Sequence, residues 1–132
     1  MSNAHRAKKS LGQNFLIDPN HQRRIVAALD LQPHDTVLEI GPGHGALTHH
    51  IAEYVGRLIL VELDNDLAPA LARTFAERAH VEVIHADFMD VDLTQLVDDV
   101  RTLKIVGNIP YNITTPIIFR LLERPQRPER IV

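Results

Sequence analysis

Val37-Leu38-Glu39-Ile40-Gly41-Pro42-Gly43-His44-Gly45-Ala46-Leu47-Thr48 is the stretch whose reading decides the fold. A short apolar run passes into three glycines at alternate positions, and an apolar segment opens directly after them. Glycine reaches positive φ without a Cβ penalty. The pattern therefore predicts a strand, a tight turn and a helix, with the backbone brought close to a ligand at the helix start. Gly41-Pro42-Gly43-His44-Gly45-Ala46 also satisfies the dinucleotide pattern G-x-G-x-x-A, with the acidic Glu62 about twenty residues on. The turn alone names no cofactor.

Outward from the turn, strand and helix signals alternate. Thr36–Ile40 reads as the first strand and Ala46–Tyr54 as a helix ended by Gly56. Arg57–Glu62 is a second apolar strand, followed by a helix over Asp66–Arg78 with Leu67, Ala70, Leu71 and Phe75 on one side. Val81–His85 is a third strand, Leu93–Val100 a short helix and Leu103–Gly107 a fourth strand. Thr114–Glu123 reads as a helix with Pro116 in its first turn, and Arg130-Ile131-Val132 opens a fifth strand. Upstream, Asp18-Pro19 starts a helix whose apolar stripe is Ile25, Val26 and Leu29. Near-continuous apolar strands separated by helices predict an α/β domain, a parallel doubly wound sheet covered on both faces. The expectation is one domain over 18–132, truncated after the start of its fifth strand, preceded by an arm over 1–17. Phe15, Leu16 and Ile17 make that arm too apolar to leave in water.

With 45% hydrophobic and 23% charged residues, the chain has the composition of a globular protein. It has no cysteine, which excludes disulfides and thiolate chemistry and agrees with a cytoplasmic location. No apolar run approaches the ~20 residues of a membrane span, and the polar, basic N-terminus has no signal-peptide core. Charge is unevenly placed: five cations against one acid in residues 1–24, six against two in 100–132, and three against fourteen between. Basic ends around an acidic centre suit a polyanion and a cationic or hydroxyl-rich ligand, although charge alone favours a solvated surface with chance clustering.

Ligands of open parallel sheets bind outside the carboxyl ends of the strands. Here those ends carry Glu39-Ile40-Gly41, Glu62, Asp87 and Asn108. An ionised Glu62 can accept both ribose hydroxyls of an adenosine-containing cofactor; the alternative is a solvated strand end. Asp87 can accept from an adenine amine, with Phe88 or Ile84 against the ring. Its alternative role as the cap of the helix near Leu93 is better filled by Asp92. Asn108-Ile109-Pro110-Tyr111 offers an amide and backbone carbonyls to an amine, and a ring on which a base can stack. This is the sharpest signal in the chain; the alternative is a proline turn entering the next helix. His44, His49 and His50 lack a carboxylate partner and form no ligand set, so no metal is expected.

Gln13-Asn14-Phe15-Leu16, Glu39-Ile40-Gly41-Pro42-Gly43, Val61-Glu62-Leu63-Asp64, Ala86-Asp87-Phe88 and Asn108-Ile109-Pro110-Tyr111-Asn112 occur in this order. Together they closely resemble the ribosomal RNA adenine N6-dimethyltransferase family, small-subunit (16S rRNA) type, over about Lys8 to Val132. The resemblance implies a Rossmann-like, S-adenosylmethionine-dependent methyltransferase that dimethylates two adjacent adenosines near the 3′ end of small-subunit rRNA. It implies cofactor contacts from Asn14, Leu16, Gly41, Gly43, Glu62, Asp87 and Asn108. It also implies a catalytic role for Asn108, Pro110 and Tyr111. The amine would donate to the Asn108 side-chain oxygen and the Pro110 carbonyl, turning its lone pair toward the methyl group, while Tyr111 stacks on the flipped base. The implied partner is a pre-ribosomal particle, with no membrane and a monomeric protein. The family's C-terminal helical domain is absent from this sequence, so cofactor binding is expected more firmly than turnover. Alternatives are a non-catalytic truncated binding module and the related large-subunit methyltransferases of the macrolide-resistance type. A nicotinamide dehydrogenase finds no support after Glu62.

Overall fold

A computed structural model describes residues 19–107, 116, 117, 121 and 128–132. Strands β1 (Thr36–Ile40), β2 (Arg57–Glu62), β3 (Val81–His85), β4 (Leu103–Gly107) and β5 (Arg130–Ile131) form one sheet in the order β3-β2-β1-β4-β5. Every neighbouring pair is parallel. Helix α1 (Pro19–Leu29) precedes β1, α2 (Ala46–Ala52) joins β1 to β2, and α3 (Leu67–Thr74) joins β2 to β3. Between β3 and β4 lie α4 (Leu93–Leu96) and two 3-10 turns, Phe88–Asp90 and Val100–Thr102. Pro116, Ile117 and Leu121 are helical. The sheet winds one way from β1 to β3 and the other way from β4 to β5. Its switch point is therefore the carboxyl end of β1, where the glycine turn stands.

The central strands β1, β2 and β4 are largely apolar because both faces are covered. Val37, Leu58, Leu60 and Val106 face α2 and α3, packing with Leu47, Ile51, Leu71 and Phe75. Leu38, Ile40, Ile59, Val61 and Ile105 face the other way, onto Phe88, Leu93, Ile117 and Leu121. Leu38 and Leu58 are wholly buried, a contribution of ~1.5–3 kcal/mol each by removal from water. All five expected strands are present with the expected bounds, the fifth over Arg130–Ile131.

Three helices are shorter than their sequence patterns suggest, each for a reason visible in the structure. α2 stops at Ala52, where Glu53 caps it and the Tyr54 N–H turns back to Ile51. α3 stops at Thr74: Phe75 leaves helical geometry at φ −105°, ψ 15° and drops its ring into the core. The segment after Leu93 is helical for four residues only. Val97 is extended (φ −137°, ψ 151°), and the Leu96 carbonyl accepts from the Arg57 guanidinium at 2.6 Å. Asp99 then caps the second 3-10 turn through the Arg101 N–H.

The amino end of the sheet is held by a feature that hydrophobic patterning hides. Lys104, inside the apolar β4, is 2% exposed and donates to Asp35 Oδ2 at 2.7 Å and to the Asp30 carbonyl at 2.6 Å. Asp35 is itself buried, and its Oδ2 also accepts from the Gln32 N–H. Its carbonyl accepts from the Gly56 and Arg57 N–H groups. A buried charge is tolerated only when paired and hydrogen-bonded, and this pair meets both conditions. The result joins the α1–β1 connection to β2 and β4, at the end opposite the glycine turn.

Candidate functional site

The glycine turn has the backbone that its sequence calls for. Gly41, Gly43 and Gly45 have φ of 65°, 63° and 87°, all in the region that side chains disfavour. The Gly41 N–H donates to the Val61 carbonyl at 2.9 Å, and the Gly45 N–H closes the turn onto the Pro42 carbonyl at 3.0 Å. The turn is thereby pinned to the end of β2, next to Glu62. A Cβ at Gly45 would meet Leu71 at 3.4 Å and Phe75 at 3.6 Å, ordinary contacts, so its positive φ rather than crowding selects glycine there.

Glu62 ends β2 nearly buried, its carboxylate aimed at the turn. Oε1 accepts from the Gly43 N–H at 2.9 Å, and Oε2 from the Asp64 N–H at 3.1 Å. Each oxygen keeps a second lone pair, so the group can still accept from a diol. Asp64 in turn accepts from the Asp66 and Leu67 N–H groups, fixing the loop that enters α3. Asp87 follows β3, beside the carboxyl end of β2, with which β3 is paired through Glu62 and His85. It is exposed, and its Oδ1 caps the first 3-10 turn by accepting from the Met89 N–H at 2.9 Å. Asp92 caps α4, as its position suggests. Asp87 thus has a capping role of its own, but for a turn rather than for that helix. Phe88, one candidate for a ring neighbour, is buried in the core; Ile84 is half-buried.

The sequence set Glu39 among the polar strand ends but did not foresee its pairing with Thr48. Glu39 is 3% exposed and Thr48 is wholly buried, and the Thr48 hydroxyl donates to Glu39 Oε1 at 2.5 Å. Burial raises the Glu39 pKa, the Thr48 bond lowers it and the charge on Glu62 raises it, leaving it pushed up to about 7. The available signal was an acid set inside the apolar run Val37-Leu38-Glu39-Ile40. His44, His49 and His50 are exposed; His49 packs on Phe75 with ring centroids 4.9 Å apart, and His50 bonds Gln22.

The structure thus gathers Gly41, Gly43, Glu62 and Asp87 at the carboxyl edge of the sheet, where β4 also delivers Gly107. Asn14, Leu16, Asn108, Pro110 and Tyr111 lie outside the described residues. A concavity of about 420 Å³ between α1 and α2 is lined by none of the strand-end residues. The candidate site is instead an open edge, built from backbone turns and carboxylates.

The chain resembles known proteins in sequence and in fold. The sequence profile described as ribosomal RNA adenine dimethylase matches residues 4–132. The chain belongs to the ribosomal RNA adenine dimethylase family. Among the family's curated proteins, Ribosomal RNA small subunit methyltransferase A of Alkaliphilus metalliredigens is 49% identical over 121 residues, covering 89% of this chain and 42% of that protein. Its namesake in Marinobacter nauticus is 49% identical over 126 residues, covering 94% and 45%. The chain thus spans a little under half the length of these relatives. Among solved structures, the 23S rRNA methyltransferase ErmE superposes with a TM-score of 0.72 at 33% identity, over 83% of this chain and 43% of that one. A dimethyladenosine transferase from Plasmodium falciparum gives 0.68 at 26% identity, over 83% and 39%. The fold is accordingly the Rossmann-like methyltransferase fold, with a glycine turn at the sheet's switch point.

Proposed function

We propose that this chain carries the cofactor-binding part of an S-adenosylmethionine-dependent rRNA (adenine-N6)-dimethyltransferase. The target is two adjacent adenosines near the 3′ end of small-subunit rRNA, within a pre-ribosomal particle in the cytoplasm. The observation that carries the reading is the meeting of the glycine turn with Glu62 and Asp87 at one sheet edge, in a family named for rRNA adenine dimethylation. Identity to proteins named for the small subunit, 42–49%, exceeds the 33% to a 23S rRNA enzyme, which favours the small-subunit target.

The residues fit the cofactor by their chemistry. Glu62 presents remaining lone pairs to the ribose hydroxyls, and Asp87 to the adenine amine. The turn at Gly41 and Gly43 lets backbone approach the methionine part, with Asn14 and Leu16 of an arm over 1–17 covering it. Bound there, S-adenosylmethionine supplies an electrophilic methyl group on a sulfonium centre. Asn108 and the Pro110 carbonyl accept from the target amine and orient its lone pair, and Tyr111 holds the base by stacking. Alignment is what these groups contribute, because an adenine amine conjugated with its ring is a poor nucleophile. The protein acts as a monomer, residues 18–132 forming the methyltransferase domain.

Methyl transfer to undermethylated small-subunit particles tests the assignment, with N6,N6-dimethyladenosine as the product read. The expected result is cofactor binding by this chain, and transfer when it is joined to a C-terminal helical domain. Binding without transfer to any RNA would favour a non-catalytic module, and transfer to large-subunit RNA would favour the macrolide-resistance type. No binding in the low millimolar range would sink the reading.

A further inference from the structure

Glu39 is a buried acid to which methyl transfer gives no task. It lies two residues before Gly41, on the sheet face it shares with its register partners Leu60 and Val106, beneath α2. A carboxylate withdrawn from water needs several donors or a counter-charge to stay ionised. Among the described residues, the Thr48 hydroxyl is its one hydrogen-bond donor, and the nearby charge is another carboxylate, Glu62. The other ionisable groups of the packed elements are exposed or paired elsewhere. His44 of the turn, His49 and His50 of α2, Arg73 of α3 and Arg23 and Arg24 of α1 are exposed, as is Asp66 just before α3. Lys104 of β4 is committed to Asp35 at the opposite end of the sheet. Among the described residues, this face of the site therefore offers two acids and no buried cation beside them.

We propose that Glu39 gives up its proton to solvent when the cationic methyl donor binds, and regains one when the donor's charge is spent, so that it distinguishes donor from product by charge. The inference rests on the cofactor reading above. In the transfer, the methyl–sulfur bond breaks and a methyl–nitrogen bond forms. The amine sheds one proton, and the sulfonium becomes a neutral thioether. The positive charge that stabilised ionised Glu39 beside Glu62 is then gone. Glu39 touches neither methyl group nor target; it acts as a specificity-determining group through its charge. Its ordinary state near neutrality, poised at about 7, suits that exchange.

Calorimetry in buffers of different ionisation enthalpy counts the protons exchanged. A bound cation that lowers the Glu39 pKa by about one unit releases about half a proton near pH 6.5 and strengthens donor binding about tenfold as pH rises across the titration. S-adenosylhomocysteine, lacking the sulfonium, should release clearly less. Glu39→Gln keeps the acceptor for Thr48, and should bind the donor with no such release and a flat pH profile. Thr48→Val removes the donor and should move the release maximum to higher pH, an independent check if Glu39→Gln folds poorly. Donor binding to the unaltered chain without proton exchange, or equal release from Glu39→Gln, would overturn this inference alone. Failure to bind the donor at all would overturn the cofactor reading and this inference with it.

Discussion

Replacing Glu39 with glutamine should flatten the dependence of folding stability on pH. In the folded chain the Glu39 pKa stands at about 7, against an ordinary 4.5, because burial disfavours the charged form. Between those two values the folded state holds a proton that the unfolded state has released. Stability from this group is therefore fully present below about pH 4.5 and is lost as pH rises through about 7. A difference of that size corresponds to about 3 kcal/mol, a large share of the ~5–15 kcal/mol that holds a domain together. Glutamine keeps the oxygen that accepts from Thr48 and cannot ionise. Urea denaturation at pH 5 and pH 8 reads the effect. The variant should exceed the unaltered protein by about 1 kcal/mol at pH 5 and by about 3 kcal/mol at pH 8. The other titrating groups, eight histidines included, are common to both proteins and cancel in the difference. Parallel curves for the two proteins would refute the argument, because they would mean that Glu39 titrates alike folded and unfolded.

Lys104→Met should cost ~3–5 kcal/mol in denaturant unfolding, because it strands the buried Asp35 carboxylate, and adding Asp35→Asn should recover part of the loss. Asp87→Ala should weaken S-adenosylmethionine binding about tenfold by titration calorimetry, the worth of one hydrogen bond to a charged acceptor. It should also lose ~1 kcal/mol of stability through the Met89 cap. Tyr111→Ala should leave donor affinity unchanged and abolish transfer in a chain joined to its helical domain; intact transfer there would remove Tyr111 from the catalytic assignment.

The fold was legible because its signals are local and repeated. Apolar runs at β1, β2 and β4 can be buried on both faces only by helices, and the glycines at 41, 43 and 45 announce the turn. Helix ends were less legible, because Phe75 and Val97 leave helical geometry for tertiary reasons, a ring entering the core and a carbonyl claimed by Arg57. Glu62 and Asp87 could be found as polar residues at strand ends. Lys104 with Asp35 and Glu39 with Thr48 could not be paired in advance. Each is a polar residue inside or beside an apolar run whose partner depends on packing, 69 residues away in the first case and 9 in the second. Both pairs lie on the sheet face that carries α2 and α3, one at each end, where neither period nor composition reports them.

Glu62 and the turn it holds could serve a nicotinamide dinucleotide or a methyl donor, and one measurement separates them. Titration calorimetry of the chain with S-adenosylmethionine and, separately, with NADH should give saturable binding of the first at one site per chain and none of the second. Glu62→Gln should weaken the S-adenosylmethionine signal. Binding of NADH with no binding of S-adenosylmethionine would contradict the account.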